Sequence, residues 1–192
     1  LLEEIYGKPF QAAIQESDLL GIMPCYCTVN GEPVSASYGL LTKLLREEMG
    51  FQGLCISDYG AVGNTHGSQH VGETLEDAGM LCLKAGMDME LPNPSGFGEK
   101  FLEKFRTGKA DISVLNRAVL RVLTAKFRMG LFEHPFSLHG EELKGVFSQK
   151  TDREVSLQSA KESLVLLKNN GVLPIGSDVK KIAVIGPHAD CA

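Results

Sequence analysis

The 192-residue chain lacks the features that would point to nucleic acid, membrane or metal. It has no basic excess: the net charge is −5 and the pI near 5.6. A nucleic-acid partner needs a basic stripe to meet phosphates, so that class is set aside. No apolar run approaches the ~20 residues that span a bilayer, and no charge run is long enough to form a binding tail. The five cysteines, Cys25, Cys27, Cys55, Cys82 and Cys191, are odd in number and contain no C-x-x-C pair. That pattern disfavours a disulfide scaffold and a structural zinc site. Cys25 and Cys55 sit in apolar runs and read as small core residues. Gly186-Pro187-His188-Ala189-Asp190 lacks both GxGxxG and a following helix, so it does not read as a nucleotide loop. The chain does not begin with Met and shows no signal sequence. Residues 1–6 look like the tail of an element already under way, which suggests a piece of a longer protein. The compartment and any homo-oligomer of the full-length protein stay open.

What is present is a hydrophobic fraction of 43%, enough for a sizeable core. Three stretches repeat one grammar, an apolar run, then polar residues and glycine, then a helix-period segment. The runs are 21–26, 53–57 and 85–91, with starts about 32 residues apart, the size of a strand plus a crossover helix. Ser37 is the expected N-cap of the first helix, which carries Leu40, Leu41, Leu44 and Leu45 on one face and stops at Gly50. The second helix carries Leu75, Ala78, Cys82 and Ala85. Short strands alternating with helices imply a parallel sheet covered on both faces, an α/β fold. A further helix is expected from a Ser113 cap to Gly130, with Leu115, Ala118, Val122 and Leu123 inward. Residues 131–150 hold Pro135, Gly140, Gly145 and three phenylalanines without clear period, and read as a linker. Another helix is expected from Thr151 or Asp152 through Val155, Ala160, Leu164 and Leu167. Ile182-Ala183-Val184-Ile185-Gly186 reads as a buried parallel strand.

In parallel α/β folds the active site lies at the carboxyl ends of the strands. That rule selects Tyr26, Thr28 and Asn30 after the first run, Asp58 and Tyr59 after the second, and Asp88 and Glu90 in the third. Asp58 stands out. An apolar strand delivers a carboxylate to its own end, and the adjacent aromatic offers a surface for a sugar's apolar face. The same residue could equally cap the loop that follows it. His66, His70 and Glu73 have a superficial metal-ligand spacing, but the stretch 60–72 holds four glycines and no sign of a helix to fix it, so a loop is expected. Asp88 and Glu90, two apart on a strand, are expected to point the same way, with Asp88 structural.

The stretch Gly50-Phe51-Gln52-Gly53-Leu54-Cys55-Ile56-Ser57-Asp58-Tyr59 resembles the nucleophile segment of glycoside hydrolase family 3. Residues 23–34, 85–92, 160–169 and 182–190 are similar, in family order, to the sixth barrel strand, the eighth strand, the linker helix and the strand opening the second domain. The resemblance implies an α/β fold made of the last three βα units of a (β/α)8 TIM-type barrel, a linker and the first strand of an α/β sandwich. The domain boundaries it implies are 1–131 for the barrel part, 132–150 for the linker and 151–192 for the linker helix and sandwich start.

It further implies that Asp58 is the catalytic nucleophile, and that Tyr26, Met23 and Tyr59 line the sugar-binding subsite beside it. Cys27 stands where the family has asparagine, and Tyr59 where it usually has tryptophan. The implied substrate is a β-glycoside or oligosaccharide, cleaved with retention from its non-reducing end, as in β-glucosidases and β-xylosidases. A retaining reaction uses two carboxyl groups about 5 Å apart. The acid/base glutamate is expected beyond Ala192, and the family's Lys-His pair and arginine upstream of Leu1. No nucleic acid, membrane, metal or organic cofactor is implied. A β-N-acetylhexosaminidase of the same family and a non-catalytic carbohydrate-binding homologue are the alternatives. The linker and second-domain strand argue against the first, the intact Ser57-Asp58-Tyr59 against the second. A phosphate-binding barrel enzyme would need a glycine-rich loop that residues 86–94 do not resemble.

Overall fold

A computed structural model of the chain describes residues 1–147 and 149–190 and divides it into two compact units, Leu1–Phe136 and Ser137–Ala192.

The first unit holds a parallel sheet of three strands in the order β1 (Gly21–Ile22), β4 (Leu54–Tyr59), β5 (Met89–Leu91). A small antiparallel hairpin joins β2 (Thr28–Val29) to β3 (Glu32–Pro33). Its turn is Asn30-Gly31, both at positive φ, the dipeptide that suits a two-residue hairpin turn. Five α-helices complete the unit: α1 (Lys8–Glu16), α2 (Ala61–Gly67), α3 (Leu75–Ala85), α4 (Glu99–Arg106) and α5 (Ile112–Arg128). Two wider helices, Leu2–Tyr6 and Gly39–Glu48, close with bonds that reach back five residues, such as Met49 N–H to Leu44 O at 2.9 Å.

The elements follow from local chemistry in most places. Leu41 and Leu45 are buried on the inner face of the Gly39–Glu48 helix, as their spacing predicts. The Ser37 hydroxyl, one residue before the cap position, accepts the Leu40 N–H at 3.3 Å and donates to Glu32 Oε2 at 2.6 Å. α3 begins with a capping box. Thr74 Oγ1 accepts from Asp77 N–H, and the Asp77 carboxylate accepts from Thr74 N–H, both at 3.2 Å. Around β4, Leu41, Leu45, Phe51, Cys55, Val62, Cys82, Ala85 and Met87 form one buried cluster. A second gathers Met80, Leu83, Phe101, Phe105 and Ala118, where α3, α4 and α5 meet. α3 and the 92–98 loop approach so closely that a Cβ on Gly79 would lie 2.5 Å from Gly96 O, so no larger residue fits there.

Several expectations are corrected. Cys25 is exposed, because the ladder of β1 ends at Ile22 and residues 23–26 are a loop. The cap of α5 is Asp111, not Ser113: its carboxylate accepts both the N–H and the hydroxyl of Ser113. Leu123, expected inward on α5, is exposed. The glycine-rich stretch after Asp58 contains α2, since the left-handed backbone there falls at Gly60, His70 and Gly72, all outside the helix Ala61–Gly67.

The second unit contains α6 (Gly140–Val146), inside the expected linker, and α7 (Lys150–Ser163). α7 ends at Ser163, so Leu164 and Leu167 fall outside it. Residues 182–186 form no strand, and Ile185 is 90% exposed. Among the described residues no strand pairs with this run, and an unpaired extended segment leaves its N–H and C=O groups to water. Cys191 and Ala192, the end of the 151–192 segment, lie outside the described residues.

Candidate active site

β4 carries the chemistry outward. Cys55 and Ser57 are fully buried on one side of the pleat, while Asp58 at its far end is half-buried and Tyr59 is exposed. Gly60 follows with φ +70°, a left-handed turn that lets the chain pass from the strand directly into α2. The turn brings Tyr59 N–H onto Asp58 Oδ1 at 2.6 Å. That bond fixes the rotamer of the carboxylate.

Tyr26 reaches the same place from the loop after β1. Its hydroxyl donates to Tyr59 O at 2.8 Å, and its own carbonyl accepts from Gln69 Nε2 at 2.8 Å. Local desolvation, then a hydrogen bond with Asp58 and the charge of that carboxylate, push the Tyr26 hydroxyl pKa above its ordinary value of 10.0. The phenol therefore stays protonated and remains a donor beside Asp58. Three residues singled out from sequence, Tyr26, Asp58 and Tyr59, thus meet at the carboxyl end of the sheet. Met23 sits apart from them. It lines an apolar cavity of about 230 Å³ with Phe10, Ile22, Leu41 and Leu45, and none of the other three lines that cavity.

The remaining acidic candidates are held elsewhere. Asp88 precedes β5 and its side chain is fully buried. One oxygen accepts from Arg46 at 2.7 Å and from Cys55 N–H at 2.9 Å, the other from Arg121 at 2.9 Å. Glu90 does not share its direction. Its carboxylate turns to the following loop and accepts from the Ser95 hydroxyl, Gly96 N–H (3.0 Å) and Phe97 N–H (2.8 Å). His66 Nδ1 lies 3.2 Å from Gly72 O, which ties α2 to the next loop. Among the described residues no three His, Cys, Asp or Glu side chains form a group that could hold a metal ion.

Sequence reasoning passed over Arg46, Arg121, Gln69 and the hydroxyl of Ser57. Arg46 also donates to Gly53 O and Gly86 O and lies 5.5 Å from the centre of the Phe51 ring, so it fastens the Gly39–Glu48 helix to both strand entries. An arginine in the last turn of a helix is ordinarily read as a charge facing water, and no local pattern marks one whose partner lies 42 residues away. Ser57 had one signal, a polar residue in an otherwise apolar strand.

The chain belongs to glycosyl hydrolase family 3. Residues 1–125 match the family described as "Glycosyl hydrolase family 3 N terminal domain". A beta-xylosidase of Formosa agariphila is 34% identical over 98% of this chain and 27% of that protein. A beta-glucosidase of Rhizobium radiobacter is 37% identical over all of this chain and 21% of that protein. The solved beta-glucosidase of Listeria innocua superposes with a TM-score of 0.71 at 30% identity, over 86% of this chain and 23% of that one. The chain spans about a quarter of the length of the curated relatives it matches.

Proposed function

We propose that the protein carrying this chain is a retaining exo-β-glycosidase of β-glucosidase or β-xylosidase type, with Asp58 as its nucleophile. The observation that carries the reading is Asp58 itself, a half-buried carboxylate at the carboxyl end of a central parallel strand, with the Tyr26 hydroxyl beside it. The β-glucosidase and β-xylosidase names of the relatives support the same reading. On it, residues 1–131 are the last three βα units of a (β/α)8 barrel, 132–150 a linker, and 151–192 the linker helix and opening of an α/β sandwich.

The chemistry follows from acetal hydrolysis. An Asp58 oxygen attacks the anomeric carbon as the bond to the leaving oxygen breaks, giving a glycosyl ester on Asp58. The Tyr26 hydroxyl, kept protonated, lies beside the nucleophile and the ring oxygen. A second carboxyl group, about 5 Å away in a retaining site, protonates the leaving oxygen and then takes a proton from the water that hydrolyses the ester. The family resemblance assigns that group to a segment outside this chain; Asp88 and Glu90 are committed to ion pairs and loop amides. Tyr59 packs on the bound sugar. The substrate is the terminal non-reducing β-linked sugar of a short oligosaccharide or aryl glycoside.

The test is trapping with an activated 2-deoxy-2-fluoro-β-glycoside followed by peptide mapping of the full-length protein. The fluoroglycosyl group is expected on Asp58, and label on any other residue overturns the assignment. A panel of aryl glycosides identifies the sugar.

A further inference from the structure

The pairing of β4 with β5 is regular at Ile56↔Met89 and resumes at Tyr59↔Leu91, so β4 spends three steps where β5 spends two. The extra residue lies at Ser57–Asp58. A bulge of this kind bends its strand and turns a side chain out of the regular alternation. Leu91 is held on both sides of it. Its N–H donates to Ser57 Oγ at 2.8 Å, and its carbonyl accepts from Gly60 N–H at 2.9 Å. Asp58 and Tyr59 are the two residues between those anchors. Ser57 is 0% exposed, so nothing else on that side replaces its hydroxyl as the acceptor for Leu91 N–H without movement of the strand.

We propose that Ser57 is a positioning residue for the glycosidase reaction: its buried hydroxyl pins Leu91 across the bulge and thereby aims the Asp58 carboxylate at the anomeric carbon. The inference rests on Asp58 being the nucleophile. Ser57 touches neither substrate nor reacting atoms; it acts only through the backbone that carries Asp58. Removing the hydroxyl leaves a buried N–H without its acceptor and frees the bulge to shift. A displacement of roughly 1 Å at a reacting group costs on the order of 100-fold in rate.

The experiment uses the full-length protein and a 2,4-dinitrophenyl β-glycoside, whose phenolate leaves without a proton. S57A is expected to lower kcat about 10- to 100-fold with KM changed by less than about threefold. S57C, of similar size but with a sulfur that accepts weakly, is expected to fold and to lose rate in the same direction. The discriminating arm removes the nucleophile. In D58G, azide attacks the anomeric carbon from the vacated face, the bond to dinitrophenolate breaks, and the product is the α-glycosyl azide. A free azide does not depend on the bulge, so D58G and S57A/D58G are expected to form that product at rates within about twofold of each other. An equal loss of the azide reaction in the double variant overturns the positioning role and leaves the nucleophile assignment standing. So does an S57A kcat within about twofold of the parent. A folded D58G that retains hydrolysis, or that yields no α-azide, overturns the nucleophile assignment and this inference with it.

Discussion

Replacing Asp88 tests how the strand that bears Asp58 is held. Its side chain is fully buried, with Arg46 8% and Arg121 27% exposed beside it. D88A removes the partner of two guanidinium groups and the acceptor of Cys55 N–H. Arg121 is open enough to regain water. Arg46 is not: desolvation already pushes its pKa down, and the Asp88 charge is the main influence opposing that. Breaking a buried pair from one side costs about 3–5 kcal/mol, and an orphaned buried N–H costs about 1–3 kcal/mol. These overlap in one site, so D88A is expected to destabilise by about 4 kcal/mol, and D88N, which keeps one acceptor oxygen, by about half that. Urea denaturation of the full-length protein, followed by circular dichroism with the slope m held as a check, reads the loss as a shift in midpoint. A double variant in which Arg46 and Asp88 both become apolar, R46M/D88L, is expected to be more stable than the sum of its single changes predicts, because the buried Arg46–Asp88 pair leaves together and Arg121, 27% exposed, regains water. A loss in D88A below about 1 kcal/mol, or strict additivity in the double variant, would refute the reasoning.

Two other expectations rest on different features. Burial pushes the thiols of Cys55 and Cys82 up from 9.0 to about 12, the Asp88 charge adding to the shift at Cys55. The folded state keeps these protons while the unfolded chain releases them, so their contribution is complete below about pH 9 and is lost as pH rises toward 12. The urea midpoint of the parent is expected to fall more steeply between pH 8 and 10.5 than that of C55A, and parallel curves would count against it. The isolated chain is expected to show no turnover of aryl β-glycosides, because among the described residues β1 and β5 each leave an edge without a partner strand; measurable turnover by the isolated chain refutes this.

The sequence showed most clearly where a single element explains its own residues. The leucine spacing of residues 40–45 and the 75–85 periodicity each predict a helix with its buried face, and α3 and the Gly39–Glu48 helix carry those faces. Asp58 at the end of an apolar run is legible for the same reason, since strand length alone places it at the carboxyl end. Boundaries were harder. α2 hides in a glycine-rich stretch because glycine weakens a helix without forbidding it. Asp111 rather than Ser113 caps α5 because both residue types cap, and only the backbone decides which carboxylate or hydroxyl meets the free N–H.

Tertiary structure alone decided the rest. Residues 182–186 have the composition of a buried strand, but a strand exists only when a neighbour takes its hydrogen bonds, and among the described residues none does. Asp88 was legible as structural, but its arginine partners and the different direction of Glu90 were not. Two carboxylates two positions apart in one short stretch part ways because Arg46 and Arg121 arrive at the first and the 95–97 amides at the second. The sequence by itself determined the strand, its terminal aspartate and the helices around it, since those depend on periodicity within a few residues. The bulge that sets Asp58, and the bond from the Tyr26 hydroxyl to the Tyr59 carbonyl 33 positions away, were decided by the packed sheet, because register and long-range hydrogen bonds exist only between segments the fold has already brought together.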